Sequence, residues 1–163
     1  YEKSKEDEAL FGMGTTLVVV AFSGERAYLG HVGDSRIYFL RNGQLEQLTR
    51  DHTLVQELVD SGAIRPEEAA NHPIAHMLTR SLGPTTAVQP EVVTLPFPIL
   101  PADVFLLCSD GLYNLVEREE IEAALVNPDL TEALQSLLKK VLDRGASDNC
   151  TMSAIRVHAL TDD

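Results

Sequence analysis

The sequence has 163 residues, of which 44% are hydrophobic, and this is enough apolar material for one globular domain with a buried core. Acids outnumber bases by 25 to 13, giving a formal net charge of −12, so nucleic acid is a poor partner and a phosphorylated substrate would need a local source of positive charge. The sequence contains neither an apolar run long enough for a membrane span nor a secretory signal pattern at its charged beginning, so we expect a cytoplasmic location.

Two β-hairpins are predicted in the first third of the chain. The β-rich runs occupy residues 15–22, 27–32, 36–40 and 44–48. The turn "SGER" joins the first pair of runs. Asn42-Gly43 joins the second pair, and this dipeptide is typical of a type I′ turn because both central positions need positive φ. We expect the four runs to form one antiparallel meander.

A short helix and a long irregular segment follow the hairpins. Thr53 can cap the helix with Gln56 three residues on, and Gly62 can end it. The stretch 63–101 is rich in Pro, His and Thr and has weak periodicity except at 92–95. Its length and composition predict a functional loop or lid.

The last third of the chain alternates apolar strands with amphipathic helices. We predict a strand at 104–108, helices over 117–126 and 131–143 with Gly145 ending the second, and a strand at 151–157. The order of strands and helices favours an α+β layered fold with antiparallel sheets. Cys108 and Cys150 have no partner at metal-binding spacing, so we interpret both as small core residues.

Three aspartates share a setting at the junction of a strand and a turn: Asp34 in "HVGDSR", Asp110 in "LLCSDG" and Asp148 in "GASDNC". Each could be an ordinary turn former, since Asp, Gly, Ser and Asn favour turns. As a set, carboxylates at the ends of strands could instead converge at one edge of a sheet and bind Mg²⁺ or Mn²⁺. Spacing along the chain does not decide between these alternatives.

Five ordered motifs resemble the metal-dependent protein serine/threonine phosphatases of the 2C family, bacterial type. They are "GMGTTL" (12–17), "VGDSRIYFLRNGQLEQLTRDHTLVQELVDSG" (32–62), "HPIAHMLTRSLG" (72–83), "LLCSDGLYNLV" (106–116) and "SDNCTM" (147–152). The resemblance implies a four-layer α-β-β-α sandwich and hydrolysis of phosphoserine or phosphothreonine in phosphorylated protein substrates. The reagent would be a water bridging two Mg²⁺ or Mn²⁺ ions, which lower its pKa.

The resemblance also implies roles for the three acids. Asp110 and Asp148 match metal ligands of the family's binuclear, catalytic centre, and Asp34 matches the ligand of a weaker third metal.

The motif "GMGTT" lacks the Gly-Lys-Ser/Thr ending of a phosphate-binding loop and precedes a strand, so we interpret it as a turn.

Residues 63–81 correspond to the family's flap beside the active site, which makes Arg80 a candidate contact for the substrate phosphate. The alternative is that Arg80 only pairs with a local acid. The family usually has Arg-Asn where this chain has Ala75-His76. We interpret His31 as an ordinary strand residue, and residues 51–53 as the start of a helix.

The family's first half, with an early acid, an arginine and an Asp-Gly that bridges both metals, has no counterpart in this sequence. The resemblance therefore implies that residues 1–163 are a C-terminal portion of one catalytic domain, weakly active or inactive alone, with N-terminal strands and helices missing. The missing part or a complementing chain would cover the sheet edge and apolar faces left behind. The alternative function is a non-catalytic regulatory or binding domain, a pseudophosphatase, on the same scaffold.

Overall fold

The computed structural model describes residues 2–69, 72–83 and 86–158. The strands are β1 (Leu17–Ser23), β2 (Arg26–Val32), β3 (Arg36–Arg41), β4 (Gln44–Gln47), β5 (Glu91–Thr94), β6 (Val104–Cys108) and β7 (Met152–Arg156). The helices are α1 (Glu2–Glu6), α2 (Leu54–Asp60), α3 (Pro66–Ala69), α4 (Asp110–Tyr113), α5 (Arg118–Leu125) and α6 (Leu130–Asp143), with a 3₁₀ turn at Glu8–Leu10. The α+β class expected from the sequence is therefore confirmed.

The seven strands form two antiparallel sheets, with the order β1-β2-β5 in the first and β4-β3-β6-β7 in the second. The predicted four-strand meander was wrong, because β2 and β3 lie in different sheets. The chain leaves the first sheet at Gly33, which is buried and has a φ of +100°. A Cβ at Gly33 would lie 2.4 Å from Cγ2 of Thr16, so only glycine fits this connection without a shift.

The two sheets pack face to face through alternate residues of their strands. Ile37 and Phe39 of β3 and Phe105 of β6 face the first sheet, where they meet Ala27 and Leu29 of β2. All five side chains are buried. Because side chains alternate across a strand, the intervening residues of β3 and β6 point to the opposite face of the second sheet.

That opposite face packs against helices. The residues of this second core are Tyr38, Leu40, Leu45, Val104, Leu106, Cys108, Leu112, Val116, Ile121, Leu125, Leu137 and Val141. The strand β6 is therefore buried on both faces, as its continuous apolar sequence predicts. A sheet, a second sheet and a helical layer are three of the four layers of an α-β-β-α sandwich.

The outer face of the first sheet has no helical cover among the described residues. Leu17, Val19 and Val92 lie on this face and are 46%, 44% and 68% exposed. The registers place Val19 and Val92 on either side of Gly30. We call this the outer apolar face, defined by Leu17, Val19 and Val92.

In the part of the chain that the structure describes, no helix has the length and apolar character needed to cross a bilayer.

Candidate metal centre

Asp110 begins α4 just after β6, and hydrogen bonds join the residue before it to the residue before β7. The backbone N–H of Ser109 donates to the carbonyl of Thr151 at 3.0 Å, and the N–H of Thr151 donates to Oγ of Ser109, also at 3.0 Å. The sequence analysis did not predict α4, because a helix of four residues is too short to show an apolar periodicity. This pairing places Asp110 beside the segment that contains Asp148.

Gly111 explains why a glycine follows Asp110. A Cβ at this position would lie only 2.4 Å from the carbonyl oxygen of Asn149 and 3.1 Å from Cα of Cys150. The glycine therefore allows the backbone next to Asp148 to approach the first turn of α4. Asp148 itself is exposed, and its Oδ1 accepts a hydrogen bond of 2.6 Å from the N–H of Asn149.

Asp34 lies in the connection between the two sheets and is half-buried. Burial raises the pKa of its carboxyl above the usual value, and the nearby negative charge of Asp110 raises it further. The phenol of Tyr113, in the last position of α4, donates a hydrogen bond of 2.9 Å to the backbone carbonyl of Asp34. Asp34 and Asp110 therefore lie close enough for their charges to repel each other.

A half-buried arginine lies beside these acids but is already paired. Arg36 donates through Nη2 to Asp51 at 2.7 Å and through Nη1 to the phenol of Tyr38 at 3.0 Å. Its guanidinium also lies 3.5 Å from the ring centroid of Tyr113, a cation–π contact. Because Asp51 neutralises Arg36, this arginine supplies little positive charge to Asp34 and Asp110.

The three predicted acids are brought to one end of the second sheet, but they do not form a tight trio. Asp34 and Asp110 interact electrostatically, and the backbone beside Asp148 contacts Gly111. Among the described residues, the group of three metal-binding side chains whose ligand atoms all lie within 4.8 Å is a different one, formed by His31, His52 and Glu91. The metal roles of Asp34, Asp110 and Asp148 stay predictions.

The group of His31, His52 and Glu91, which we call the histidine pair and its glutamate, was missed by the sequence analysis. The two imidazole rings are buried and stacked, with centroids 4.4 Å apart and an interplanar angle of 17°. Glu91 lies 39 residues after His52, and no local pattern relates them. The lone pairs of an imidazole lie in its ring plane, and two nearly parallel planes do not converge on one point, so this arrangement is unsuited to binding one cation between both histidines.

Arg80 lies next to this group. Its Nη1 is 3.3 Å from Nε2 of His52. The arginine is exposed and borders a cleft of about 330 Å³ lined by residues 78–81 and 87–89. It has no carboxylate partner within 4.0 Å in the described ranges. The alternative in which Arg80 pairs with a local acid therefore finds no support in the described part of the chain.

Neither cysteine has the environment of a nucleophile. Both are free thiols. Burial raises the pKa of Cys108 to about 12, and burial followed by the charge of Asp110 raises the pKa of Cys150. Because the thiolate is the reactive form, neither residue is activated at neutral pH.

Comparisons with known proteins assign the chain to a family. The sequence model described as "Protein phosphatase 2C" matches residues 1–153. The chain is 44% identical over 143 residues to the serine/threonine protein phosphatase PstP of Mycobacterium tuberculosis (strain CDC 1551 / Oshkosh), covering 88% of this chain and 27% of that protein. It is 41% identical over 153 residues to the serine/threonine phosphatase stp of Listeria welshimeri, covering 93% and 59%.

Solved structures agree with this assignment. A crystal structure of the M. tuberculosis phosphatase PstP/Ppp superposes with a TM-score of 0.90 at 40% identity, covering 97% of this chain and 66% of that one. The catalytic domain of PstP in complex with two manganese ions gives a TM-score of 0.86 at 39% identity, covering 97% and 65%. The chain belongs to the protein phosphatase 2C family. It spans about a quarter to three fifths of the length of the two relatives named above.

Proposed function

We propose that this chain is the larger part of the catalytic domain of a metal-dependent protein serine/threonine phosphatase, and that the full-length protein hydrolyses phosphoserine or phosphothreonine in proteins. Asp110 and Asp148 would bind the two catalytic ions, and Asp34 a third. Arg80 would contact the phosphate of the substrate. The names of the relatives, which are serine/threonine phosphatases, support this class of activity for the full-length protein.

One observation carries the proposal. Two hydrogen bonds between Ser109 and Thr151 join the end of β6 to the start of β7. Asp110 and the segment that contains Asp148 therefore lie at the same end of one sheet. The carboxyl of Asp34, from the connection between the sheets, lies within electrostatic range of Asp110. Three acids far apart in sequence thus share one region of the fold.

The chemistry of these side chains suits Mg²⁺ or Mn²⁺. Carboxylate oxygens are the ligands these hard cations prefer, and PstP binds manganese in a related catalytic domain. The raised pKa of Asp34 reflects burial and uncompensated negative charge, which a cation would offset. When bound, the ions would supply charge neutralisation for the phosphate and a water of lowered pKa.

The chain's own residues would orient the substrate and hold these ligands in place. Arg80 offers planar N–H donors that match the geometry of a phosphate, and it has no carboxylate partner among the described residues. Gly111 and Ser109 fix the position of the Asp110 backbone relative to Asn149. The cysteines take no part, since both thiols are held in the protonated form.

We further propose that residues 1–163 are the C-terminal portion of one catalytic domain, with 63–81 as its flap. The outer apolar face is the feature that favours this, because large apolar patches on a folded protein are usually covered. The missing segment or a complementing chain would supply the fourth layer of the sandwich. The remaining metal and phosphate ligands would come with it.

The test is Mn²⁺-dependent hydrolysis of a phosphothreonine peptide by the full-length protein and its Asp110→Asn variant. We expect the variant to lose activity by at least about a hundredfold, since it removes a ligand of the catalytic ions. The far-UV circular dichroism spectrum should be unchanged. Equal turnover by the two proteins would show that Asp110 is not a ligand of the catalytic ions. An inactive parent protein would favour the regulatory alternative.

A further inference from the structure

His52 contacts three parts of the fold at once. Its backbone N–H donates to the carbonyl of Gly33 at 3.0 Å, and its Nδ1 accepts a hydrogen bond of 3.1 Å from the N–H of Gly33. Its own carbonyl accepts from the N–H of Thr79 at 2.9 Å. One buried residue therefore links the connection that carries Asp34 to the end of the flap.

The hydrogen bond from Gly33 decides which nitrogen of His52 carries the proton. A ring nitrogen that accepts from an N–H must be unprotonated, so the neutral imidazole has its proton on Nε2. The Nε2–H then points toward Oε2 of Glu91, 3.3 Å away. Burial lowers the pKa of His52, which favours this neutral ring.

The same tautomer defines the role of the nearby arginine. A protonated Nε2 has no lone pair, so Nη1 of Arg80, 3.3 Å away, cannot donate a hydrogen bond to it. Nη1 of Arg80 therefore contacts the edge of the ring at 3.3 Å without forming a hydrogen bond to it, and its other N–H groups point elsewhere. Oε2 of Glu91 and Nη1 of Arg80 thus both lie 3.3 Å from the same ring nitrogen of His52.

The ring of His52 is itself held rigidly. His31 stacks on it, and Nε2 of His31 lies 2.8 Å from the carbonyl of Arg50, which can only accept. The flap is attached to the same segment by a second backbone bond, from the N–H of Leu54 to the carbonyl of Met77 at 2.8 Å. A rigid support of this kind is what a substrate contact on a loop needs in order to be preorganised.

We propose that His52 is a positioning residue for Arg80: its ring, oriented by Gly33, His31 and Glu91, fixes the place of the guanidinium so that its remaining N–H donors are free for a substrate phosphate. This inference rests on the proposed phosphatase function. It names a second residue, buried and not in contact with substrate, on which phosphate recognition depends.

Two substitutions distinguish the role of Nδ1 of His52 from the role of Nε2. In His52→Asn, the side-chain oxygen can replace Nδ1 as acceptor for Gly33 but leaves a gap beside Arg80. In His52→Gln, the amide can replace Nε2–H toward Glu91 and fill the space beside Arg80, but the acceptor for Gly33 is lost. Positioning predicts that only His52→Asn releases the guanidinium.

The first measurement is independent of catalysis. In the full-length protein, ¹⁵N relaxation of the Arg80 Nε–H group should report a guanidinium that is more mobile in His52→Asn than in the parent and close to the parent in His52→Gln. Equal order in all three proteins, or release in His52→Gln alone, would overturn the proposal.

The second measurement is a double-mutant cycle on kcat/KM for a phosphothreonine peptide. Arg80→Ala should lower kcat/KM about tenfold to a hundredfold, the range for losing a charged hydrogen bond. His52→Asn should lower it about threefold to tenfold, and adding it to Arg80→Ala should cost nothing further. Losses that multiply, or an Arg80→Ala variant with full activity, would refute the positioning role.

The two proposals fail in different ways. A full-length protein without Mn²⁺-dependent activity would refute the phosphatase function, and the relaxation of Arg80 would still decide whether His52 orders it. An active enzyme whose Arg80 is equally ordered in every His52 variant would retain its function and lose this inference alone.

Discussion

The phenol of Tyr113 donates a hydrogen bond of 2.9 Å to the backbone carbonyl of Asp34. Tyr113 closes the short helix α4, which Asp110 begins, so one turn of helix joins the positions of the two acids. The guanidinium of Arg36 covers the same ring. The separation of Asp34 and Asp110 is therefore set by a specific contact and not only by the packing of the sheets.

Tyr113→Phe should remove this contact while keeping the ring under Arg36. We expect a loss of about 1 kcal/mol in the free energy of unfolding, the usual value of one hydrogen bond. Urea denaturation of the metal-free protein measures it. Half-maximal activity of the full-length protein should also require more Mn²⁺. Tyr28→Phe is the matched control, since Tyr28 is half-buried and lies within β2, where it pairs with Ala21 and Thr94. An equal effect there would argue against a specific contact.

Asp34→Asn should stabilise the metal-free protein at neutral pH. The pKa of Asp34 is raised in the folded state, so the folded protein binds its proton more tightly than the unfolded chain, and ionisation of this group costs stability as the pH rises. The gain should shrink as the pH falls and should vanish below the unperturbed value of 3.8, where the carboxyl is protonated in both states. Thermal unfolding in the presence of a chelator at several pH values tests this. A variant less stable than the parent at neutral pH would contradict the prediction.

Gly111→Ala should displace the segment that carries Asp148. The added Cβ would meet the carbonyl oxygen of Asn149 at 2.4 Å, and relieving such an overlap typically costs about 1–3 kcal/mol. We expect that loss in chemical denaturation together with a weaker response to Mn²⁺. Gly30→Ala is the control, because its Cβ would meet Glu91 only at 4.0 Å. Similar losses in both variants would show that the contact with Asn149 is unimportant.

The outer apolar face can be tested by adding charge. In the 163-residue chain, the double variant Leu17→Lys, Val92→Lys should increase solubility, because both side chains are exposed there. In the full-length protein it should lower the free energy of unfolding by about 2 kcal/mol per side chain if a further layer covers this face. Val126→Lys, at a site 58% exposed on another element, should be neutral in both. An unaffected full-length protein would mean that nothing packs on this face.

Local signals in the sequence predicted the secondary structure well. Asn42 and Gly43 both have positive φ, at 54° and 76°, as a type I′ turn requires. The side chain of Thr53 accepts from the N–H of Gln56, so the predicted cap of α2 is confirmed. The helix predicted at 131–143 is found at Leu130–Asp143, capped by Asp129. Each of these features depends on residues within a few positions of one another.

Pairings over long distances were harder to predict. The meander failed at Gly33, because a glycine between two strands is equally compatible with a turn inside one sheet and with a connection between sheets. The histidine pair was missed for the same reason: His31 and His52 meet only after the chain changes sheets, and Glu91 joins them by pairing of β5 with β2. The neighbourhood of Asp34 and Asp110 was anticipated through a family resemblance and not from spacing.

The connection at residues 33–35 has a mechanical consequence. It is three residues long, joins β2 of one sheet to β3 of the other, and carries Asp34 in its middle. If one sheet slides over the other, this short connection is strained first, and the distance between Asp34 and Asp110 changes. Substitutions in the interior between the two sheets, far from any acid, would thus change the affinity for a cation at Asp34 without contacting Asp34.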